Sequence, residues 1–124
     1  MLDLDAEAIY RTLLSRVREL VADRDVRLVG IHTGGVWIAE RLRTMLRIAE
    51  PLGELNIAFY RDDFSRIGIH PTVEPSSLPF DVDNRDLILV DDILYTGRTI
   101  RAAMNEIFDY GRPRSIRLAV LFDR

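Results

Sequence analysis

LILVDDILYTGRT, residues 87–99, changes from an apolar run to a polar turn within a few positions. Its first four residues are all aliphatic, which is typical of a strand that is covered on both faces of a sheet. Asp91 and Asp92 follow directly, and the sequence TGRT occupies residues 96–99. Two adjacent carboxylates at the end of a buried strand are unfavourable for folding, because each of them needs solvent or a partner. The arrangement therefore indicates a binding site at the end of this strand.

The apolar pattern of the remaining sequence predicts alternating helices and strands. Helical spacing predicts three helices, over residues 5–22, over 34–49, and from the 96–99 turn to Gly111. Alternating or continuous apolar residues predict four strands, over residues 26–31, 54–60, 86–91 and 115–122. This order favours an α/β fold with a mostly parallel sheet and helices on both faces.

Length and composition limit the class of protein. The 124 residues have the length of one domain, in which the polar, proline-bearing stretch 61–85 is too long for an ordinary connection and is interpreted as a functional loop. The absence of cysteine excludes a disulfide framework, and the absence of lysine excludes lysine-based mechanisms. No apolar run approaches the length of a membrane span, so we expect a cytoplasmic protein without membrane association.

Two unusual strand-to-helix turns mark the expected binding site, because ligands in such folds bind at the carboxyl ends of the strands. The first is HTGG, residues 32–35, and the second follows Asp91 and Asp92. Residues 96–99 enter a helix, where free backbone N–H groups, hydroxyl groups and the positive helix end form a phosphate cradle. Carboxylates beside a phosphate suit a ligand with hydroxyl groups or a magnesium ion, such as a ribose 5-phosphate bearing a metal-bound diphosphate. In the alternative interpretation the acidic pair caps the helix, which explains one carboxylate but not two.

Several segments resemble one known family. ILVDDILYTGRT resembles the phosphoribosyl pyrophosphate signature of type I phosphoribosyltransferases, and YTGRT with the following RAAM and YGRP resembles the PyrR family in particular. LVGIHTGGVWIAERL and ELNIAFYRDDFSR resemble the pyrophosphate-loop and second-strand regions of that family, so the likeness covers nearly the whole chain. PyrR proteins are pyrimidine operon attenuators with uracil phosphoribosyltransferase activity. The resemblance therefore implies that uracil and phosphoribosyl pyrophosphate react to give UMP and pyrophosphate, with Mg²⁺ as the cofactor.

The resemblance also implies roles for individual residues. The ribose hydroxyl groups, and through the substrate the metal ion, are assigned to Asp91 and Asp92. The 5-phosphate is assigned to the residues of the second turn: Tyr95, Thr96, Gly97, Arg98 and Thr99. The pyrophosphate side is assigned to Thr33, Gly34, Gly35 and Arg61. The loop that closes over the reacting groups carries Arg66 and His70.

This sequence departs from the PyrR pattern in three places. Relatives usually have Thr-Arg-Gly where this chain has residues 33–35 as Thr-Gly-Gly, and His32 replaces the missing cation only in part, because histidine is mostly neutral at pH 7. The part of the loop around residues 64–80 has Arg66 and His70 as its only basic residues and no lysine. The family continues past the residue equivalent to Arg124 into a segment of the base pocket. The chain is therefore interpreted as either a fragment or a protein of compromised base specificity. We expect it to bind phosphoribosyl pyrophosphate or a nucleotide 5-phosphate but to convert uracil poorly by itself.

Three functions compete at this point: a uracil phosphoribosyltransferase linked to the regulation of pyrimidine synthesis, an RNA-binding attenuator that uses the site only to sense UMP or UTP, and a phosphoribosyltransferase for another base. Arg11 and Arg18 share a helix face that RNA phosphates could contact, but Glu7 and Glu19 lie nearby and the net charge is −3, so RNA is not favoured. Trp37 is expected in the core or in a subunit interface, and we expect a homodimer or a higher homo-oligomer.

Overall fold

The structure, a computed structural model, describes residues 6–22, 25–57, 76–94 and 97–123. The elements in these ranges are α1 (Ala6–Val21), β1 (Val26–Ile31), α2 (Gly34–Met45), β2 (Gly53–Leu55), β3 (Asp86–Leu94), α3 (Gly97–Phe108) and β4 (Ser115–Asp123). None of the helices in the described part is long and apolar enough to cross a membrane. The predicted alternation of strands and helices is confirmed.

The four strands form one parallel sheet in the order β2-β1-β3-β4. The chain therefore runs from β1 outward to β2 on one side, and from β3 outward to β4 on the other. Connections that diverge in this way leave a crevice between the carboxyl ends of the two central strands, where α/β proteins bind ligands. The sheet thus places a ligand crevice at the ends of β1 and β3.

Helices cover both faces of the sheet, as predicted. One apolar cluster joins α1 and α2 to the sheet through buried residues that include Leu13, Val17, Leu28, Leu42, Ile88 and Val90. A second cluster joins α3 to the opposite face through buried residues that include Val29, Ile31, Leu87, Leu89, Ala103 and Ile107. Successive residues of the two central strands enter opposite clusters, which explains why the sequence of β3 begins with an uninterrupted aliphatic run.

Three element boundaries differ from the predictions. Helix α2 ends at Met45 rather than at residue 49, because Arg47 adopts a left-handed backbone conformation with φ of 55°. Strand β2 is only Gly53–Leu55, and the backbone N–H of the next residue, Asn56, donates to Ser76 Oγ at 2.9 Å. Strand β3 continues past Asp91 to residue 94, because β4 pairs with it over that length. Apolar periodicity does not report such backbone pairings.

The described part of the predicted 61–85 loop, residues 76–85, packs against the second cluster through the buried side chains of Leu78 and Val82. Ser77 forms an isolated antiparallel bridge with Glu54, in which each backbone N–H donates to the other carbonyl at 2.8 Å. The remaining residues of the predicted loop lie outside the described ranges. The segment that precedes β3 is therefore fixed to the edge strand β2.

Candidate active site

The turn between β1 and α2 lies directly against the end of β3. A Cβ atom added to Gly34 would lie 2.2 Å from Asp92 Oδ2, and one added to Gly35 would lie 2.2 Å from the carbonyl oxygen of Val90. A side chain at Gly35 would therefore collide with the backbone of β3, whereas one at Gly34 would displace the Asp92 side chain. The two glycines therefore let two motifs that are far apart in the sequence meet at the crevice.

Two helices follow the central strands: α2 begins at Gly34, within this contact, and α3 begins at Gly97, three residues after the end of β3. Neither has an acidic residue in its first turn, and the side chain of Thr33, the residue before α2, makes no capping hydrogen bond. The first backbone N–H groups of a helix lack intrahelical acceptors and lie at its positive end. The crevice is therefore suited to a ligand with two anionic groups, one at each helix.

The acidic pair lies at the same place. Asp91 is buried, with 8% of its surface exposed, whereas Asp92 is half-buried. The backbone N–H of Asp92 donates to Asp91 Oδ1 at 2.9 Å, and that of Ile93 donates to Asp92 Oδ1 at 2.8 Å. These donors belong to β3 itself, and the strand ends three residues before α3 begins. The geometry therefore gives no support to the interpretation that the pair caps the helix.

Burial, together with a smaller contribution from the neighbouring Asp92 carboxylate, raises the pKa of Asp91 from 3.8 to about 6. The folded state therefore holds the proton of Asp91 more tightly than the unfolded chain does. Stability linked to this group is complete below about pH 4 and is lost as the pH rises through about 6. At neutral pH the ionised Asp91 destabilises the fold.

We expect Asp91→Asn to raise the free energy of unfolding at neutral pH by about 1–3 kcal/mol, since one pKa unit corresponds to about 1.4 kcal/mol. The gain should shrink as the pH falls and vanish below about pH 4. Urea unfolding at several pH values measures it. The matched control is Asp81→Asn, which neutralises an exposed carboxylate that also accepts a backbone N–H, from Asp83. A pH-independent effect, or a loss of stability at neutral pH, would contradict the expectation.

The structure brings some of the predicted site residues together and leaves others outside its described ranges. Gly34 and Gly35 adjoin the acidic pair, and Thr33 precedes them at the start of α2. Arg98 is exposed and Thr99 is half-buried in the first turn of α3, which begins at Gly97. The predicted residues outside the described ranges are Arg61, Arg66, His70, Tyr95 and Thr96.

One side-chain contact at this edge of the sheet involves a residue that the sequence analysis did not identify. Glu54 Oε1 of β2 lies 2.8 Å from Nε2 of His32, the residue after β1. The peptide bond between His32 and Thr33 is cis. Apolar alternation marks Glu54 only as a strand residue, so no sequence signal pairs it with a residue of the turn.

Comparisons with known proteins agree with this geometry. The family model for the phosphoribosyl transferase domain matches residues 3–124. The bifunctional protein PyrR of Nitrosococcus oceani is 56% identical over 126 residues, covering 98% of this chain and 71% of that protein. The bifunctional protein PyrR of Pseudomonas paraeruginosa is 56% identical over 121 residues, covering 95% of this chain and 71% of that protein.

Solved structures with lower identity share the fold. A purine phosphoribosyltransferase from Pyrococcus horikoshii has a TM-score of 0.68 at 23% identity, covering 96% of this chain and 82% of its own. A hypoxanthine-guanine phosphoribosyltransferase from Bacillus anthracis has a TM-score of 0.72 at 14% identity, covering 98% of this chain and 72% of its own. The fold is therefore that of the type I phosphoribosyltransferases, as predicted. With the domain match and the identity to two bifunctional proteins, it follows that this chain is a phosphoribosyltransferase and belongs to the PyrR family.

Proposed function

We propose that this protein transfers the phosphoribosyl group of phosphoribosyl pyrophosphate to uracil, forming UMP and pyrophosphate. The observation that carries the proposal is the contact of Gly34 and Gly35 with the end of β3, which brings a glycine turn and two carboxylates together. Helix α3 begins three residues after the end of that strand. A ligand with a phosphate at one end, a diphosphate at the other and hydroxyl groups between them matches these groups. The resemblance to PyrR proteins supplies uracil as the base.

Each part of the crevice then has a role. Asp91 and Asp92 accept hydrogen bonds from the ribose hydroxyl groups. The start of α3 holds the 5-phosphate, with the predicted contributors Tyr95, Thr96, Gly97, Arg98 and Thr99. The diphosphate lies against Thr33, Gly34 and Gly35, and Arg61 is a further predicted contributor on this side. Arg66 and His70 belong to the loop proposed to exclude water from the reacting groups.

The reaction breaks the bond between the anomeric carbon and the diphosphate oxygen, and forms a bond from that carbon to a ring nitrogen of uracil. Positive charge develops on the ribose as the diphosphate leaves. The protein contributes by orienting the two reactants and by placing negative charge at the ribose and backbone donors at the phosphates. No covalent intermediate with the protein is required.

Mg²⁺ fits this site as a substrate-bound ion. Carboxylate oxygens suit Mg²⁺, which is commonly held by one or two carboxylates together with substrate phosphates. Within residues 6–22, 25–57, 76–94 and 97–123, no three histidine, aspartate or glutamate side chains are placed to hold a metal ion. Asp91 and Asp92 would therefore contact the ion mainly through the ligand, where it would neutralise charge on the leaving diphosphate.

The test is product identification with a panel of bases, in the presence of phosphoribosyl pyrophosphate and Mg²⁺. We expect UMP from uracil and no nucleotide from hypoxanthine, guanine or orotate. Because the chain spans 71% of the length of its PyrR relatives, calorimetric binding of phosphoribosyl pyrophosphate is measured separately from turnover. Formation of a purine nucleotide instead of UMP would overturn the choice of base, and the absence of binding would overturn the proposed site.

An RNA contact is a second candidate function, with one feature of α1 in its favour. Its exposed face carries a shallow groove lined by Arg11, Thr12, Ser15 and Arg16, which are suitable donors for phosphate oxygens. Glu19 lines the same groove and opposes a polyanion. RNA affinity that falls steeply with salt and changes with UMP would support this function.

We also propose that the protein self-associates through the outer face of α2. Trp37 is 75% exposed and Met45 is 52% exposed, so of the two places expected for Trp37 the core is excluded, and a subunit interface stays a prediction. Large apolar side chains exposed on one helix are typical of an interface. Light scattering at micromolar concentration should find a dimer or larger assembly that Trp37→Ala weakens and Phe108→Ala, on α3, does not. A monomeric wild-type protein would contradict this.

A further inference from the structure

The pair formed by His32 and Glu54 lies at the edge of the crevice assigned to the diphosphate. His32 immediately precedes Thr33, Gly34 and Gly35, and it is the only basic residue between Arg27 and Arg41. Its side chain is 27% exposed and that of Glu54 is 40% exposed. Both groups are therefore accessible to a ligand in solvent while they contact each other.

The backbone fixes both members of this pair. The backbone N–H of His32 donates to the carbonyl oxygen of Leu55 at 2.9 Å, which ties the turn to β2. Glu54 is aligned with Gly30 in the parallel register, and on its other side it is bridged to Ser77 in both directions. A carboxylate on a backbone held from both sides can hold the imidazole ring in one orientation.

The protonation chemistry of imidazole determines what the second ring nitrogen can do. A neutral imidazole that donates Nε2–H to Glu54 has a lone pair on Nδ1, which accepts hydrogen bonds and repels an anion. An imidazolium donates from both nitrogens, so it can serve the carboxylate of Glu54 and a diphosphate oxygen together.

We propose that Glu54 is a positioning residue that holds His32 as a diphosphate-binding side chain, so that diphosphate binding is linked to uptake of one proton by this pair. The inference rests on the proposed function, because that function is what assigns a diphosphate to this turn. In this inference the imidazolium of His32 supplies the positive charge that the Thr-Gly-Gly turn lacks for want of an arginine. Binding then becomes weaker as the pH rises through the range in which imidazoles lose their proton, between about pH 5 and 8.

Other titratable groups at this turn need to be separated from the pair. Asp91 and Asp92 adjoin the turn from β3, and the pKa of Asp91 is raised by burial to about 6. The diphosphate itself also takes up protons in this range. The comparison of His32→Arg with the wild type removes both contributions, because an arginine keeps the positive charge at every relevant pH while the other groups remain.

The test measures the Kd values of phosphoribosyl pyrophosphate, pyrophosphate and ribose 5-phosphate by calorimetry, at fixed free Mg²⁺ and between about pH 6 and 8. We expect His32→Gln and Glu54→Gln to weaken both diphosphate ligands at the acidic end by roughly tenfold, the size of one charge-assisted hydrogen bond. Ribose 5-phosphate, which lacks the diphosphate, should bind as before. Titrations of the diphosphate ligands in two buffers of different ionisation enthalpy measure the protons taken up on binding. The wild type should take up more protons than His32→Arg.

The matched control is Glu7→Gln, which removes an exposed carboxylate paired with Arg41 at 2.8 Å, between α1 and α2 and outside the crevice. Glu7→Gln should leave all three Kd values unchanged. His32→Arg should recover the diphosphate affinity that His32→Gln loses, without the additional pH dependence of the wild type. Equal loss for ribose 5-phosphate would indicate a structural role of the pair and overturn the inference. Unchanged diphosphate affinity in His32→Gln would also overturn it. If the wild type binds neither diphosphate ligand, the proposed function itself fails, which is a distinguishable result.

Discussion

Replacing Asp91 and Asp92 together by asparagine is expected to reduce turnover of phosphoribosyl pyrophosphate on the order of 10³-fold while the melting temperature stays the same or rises. The carboxylates lie at the end of a central strand, where burial opposes the charge of Asp91. Asparagine keeps the oxygens that accept the backbone N–H groups of Asp92 and Ile93. It removes the negative charge that stabilises a positively charged ribose.

Turnover, calorimetric affinity and thermal unfolding of the double variant are compared with those of Asp81→Asn combined with Asp83→Asn. This control removes two exposed carboxylates that also accept backbone hydrogen bonds, from Asp83 and Arg112, outside the crevice. The control should retain the activity of the wild type. Retained turnover in the double variant of Asp91 and Asp92, or a fall in its melting temperature, would contradict the assignment of the pair to the site.

Alanine at Gly35 and alanine at Gly34 are expected to have different effects, although the two glycines are adjacent. A methyl group at Gly35 meets the backbone of β3, at the carbonyl oxygen of Val90 and at Asp91 Cα, and the strand cannot move aside. We expect Gly35→Ala to destabilise the protein by about 1–3 kcal/mol and to abolish binding, as overpacking does in a rigid interior. A methyl group at Gly34 meets only the side chain of Asp92, which can rotate away.

Gly34→Ala should therefore keep the wild-type free energy of unfolding but lose turnover by about 10²-fold, because a small displacement of an orienting group has effects of this size. Urea unfolding and turnover of the two variants, each the control for the other, measure the difference. Full activity of Gly34→Ala would show that the position of the Asp92 carboxylate does not matter. Equal destabilisation by both substitutions would show that the turn is only a packing element.

The sequence by itself determined the elements and the chemistry they carry. The aliphatic run before Asp91 predicted a central strand, and the structure buries β3 on both faces. The glycine turn at residues 32–35 and the polar turn at residues 96–99 predicted two helix starts, and α2 and α3 begin there. These features are local, because periodicity and turn chemistry act over a few residues. The family resemblance added the expected reaction, which local patterns alone do not specify.

Only the tertiary structure decided which of these elements are neighbours. The order β2-β1-β3-β4 places the first and third strands side by side, so that Gly34 touches Asp92, and burial then raises the pKa of Asp91. The pair of His32 with Glu54, which are 22 residues apart, depends on the register of β2 beside β1 and on the bridge to Ser77. Strand order and register arise from the packing of whole layers, in which each strand could pair with several others at similar local energy. A sequence pattern therefore predicts a strand, but the packing of the two helical layers selects its neighbours.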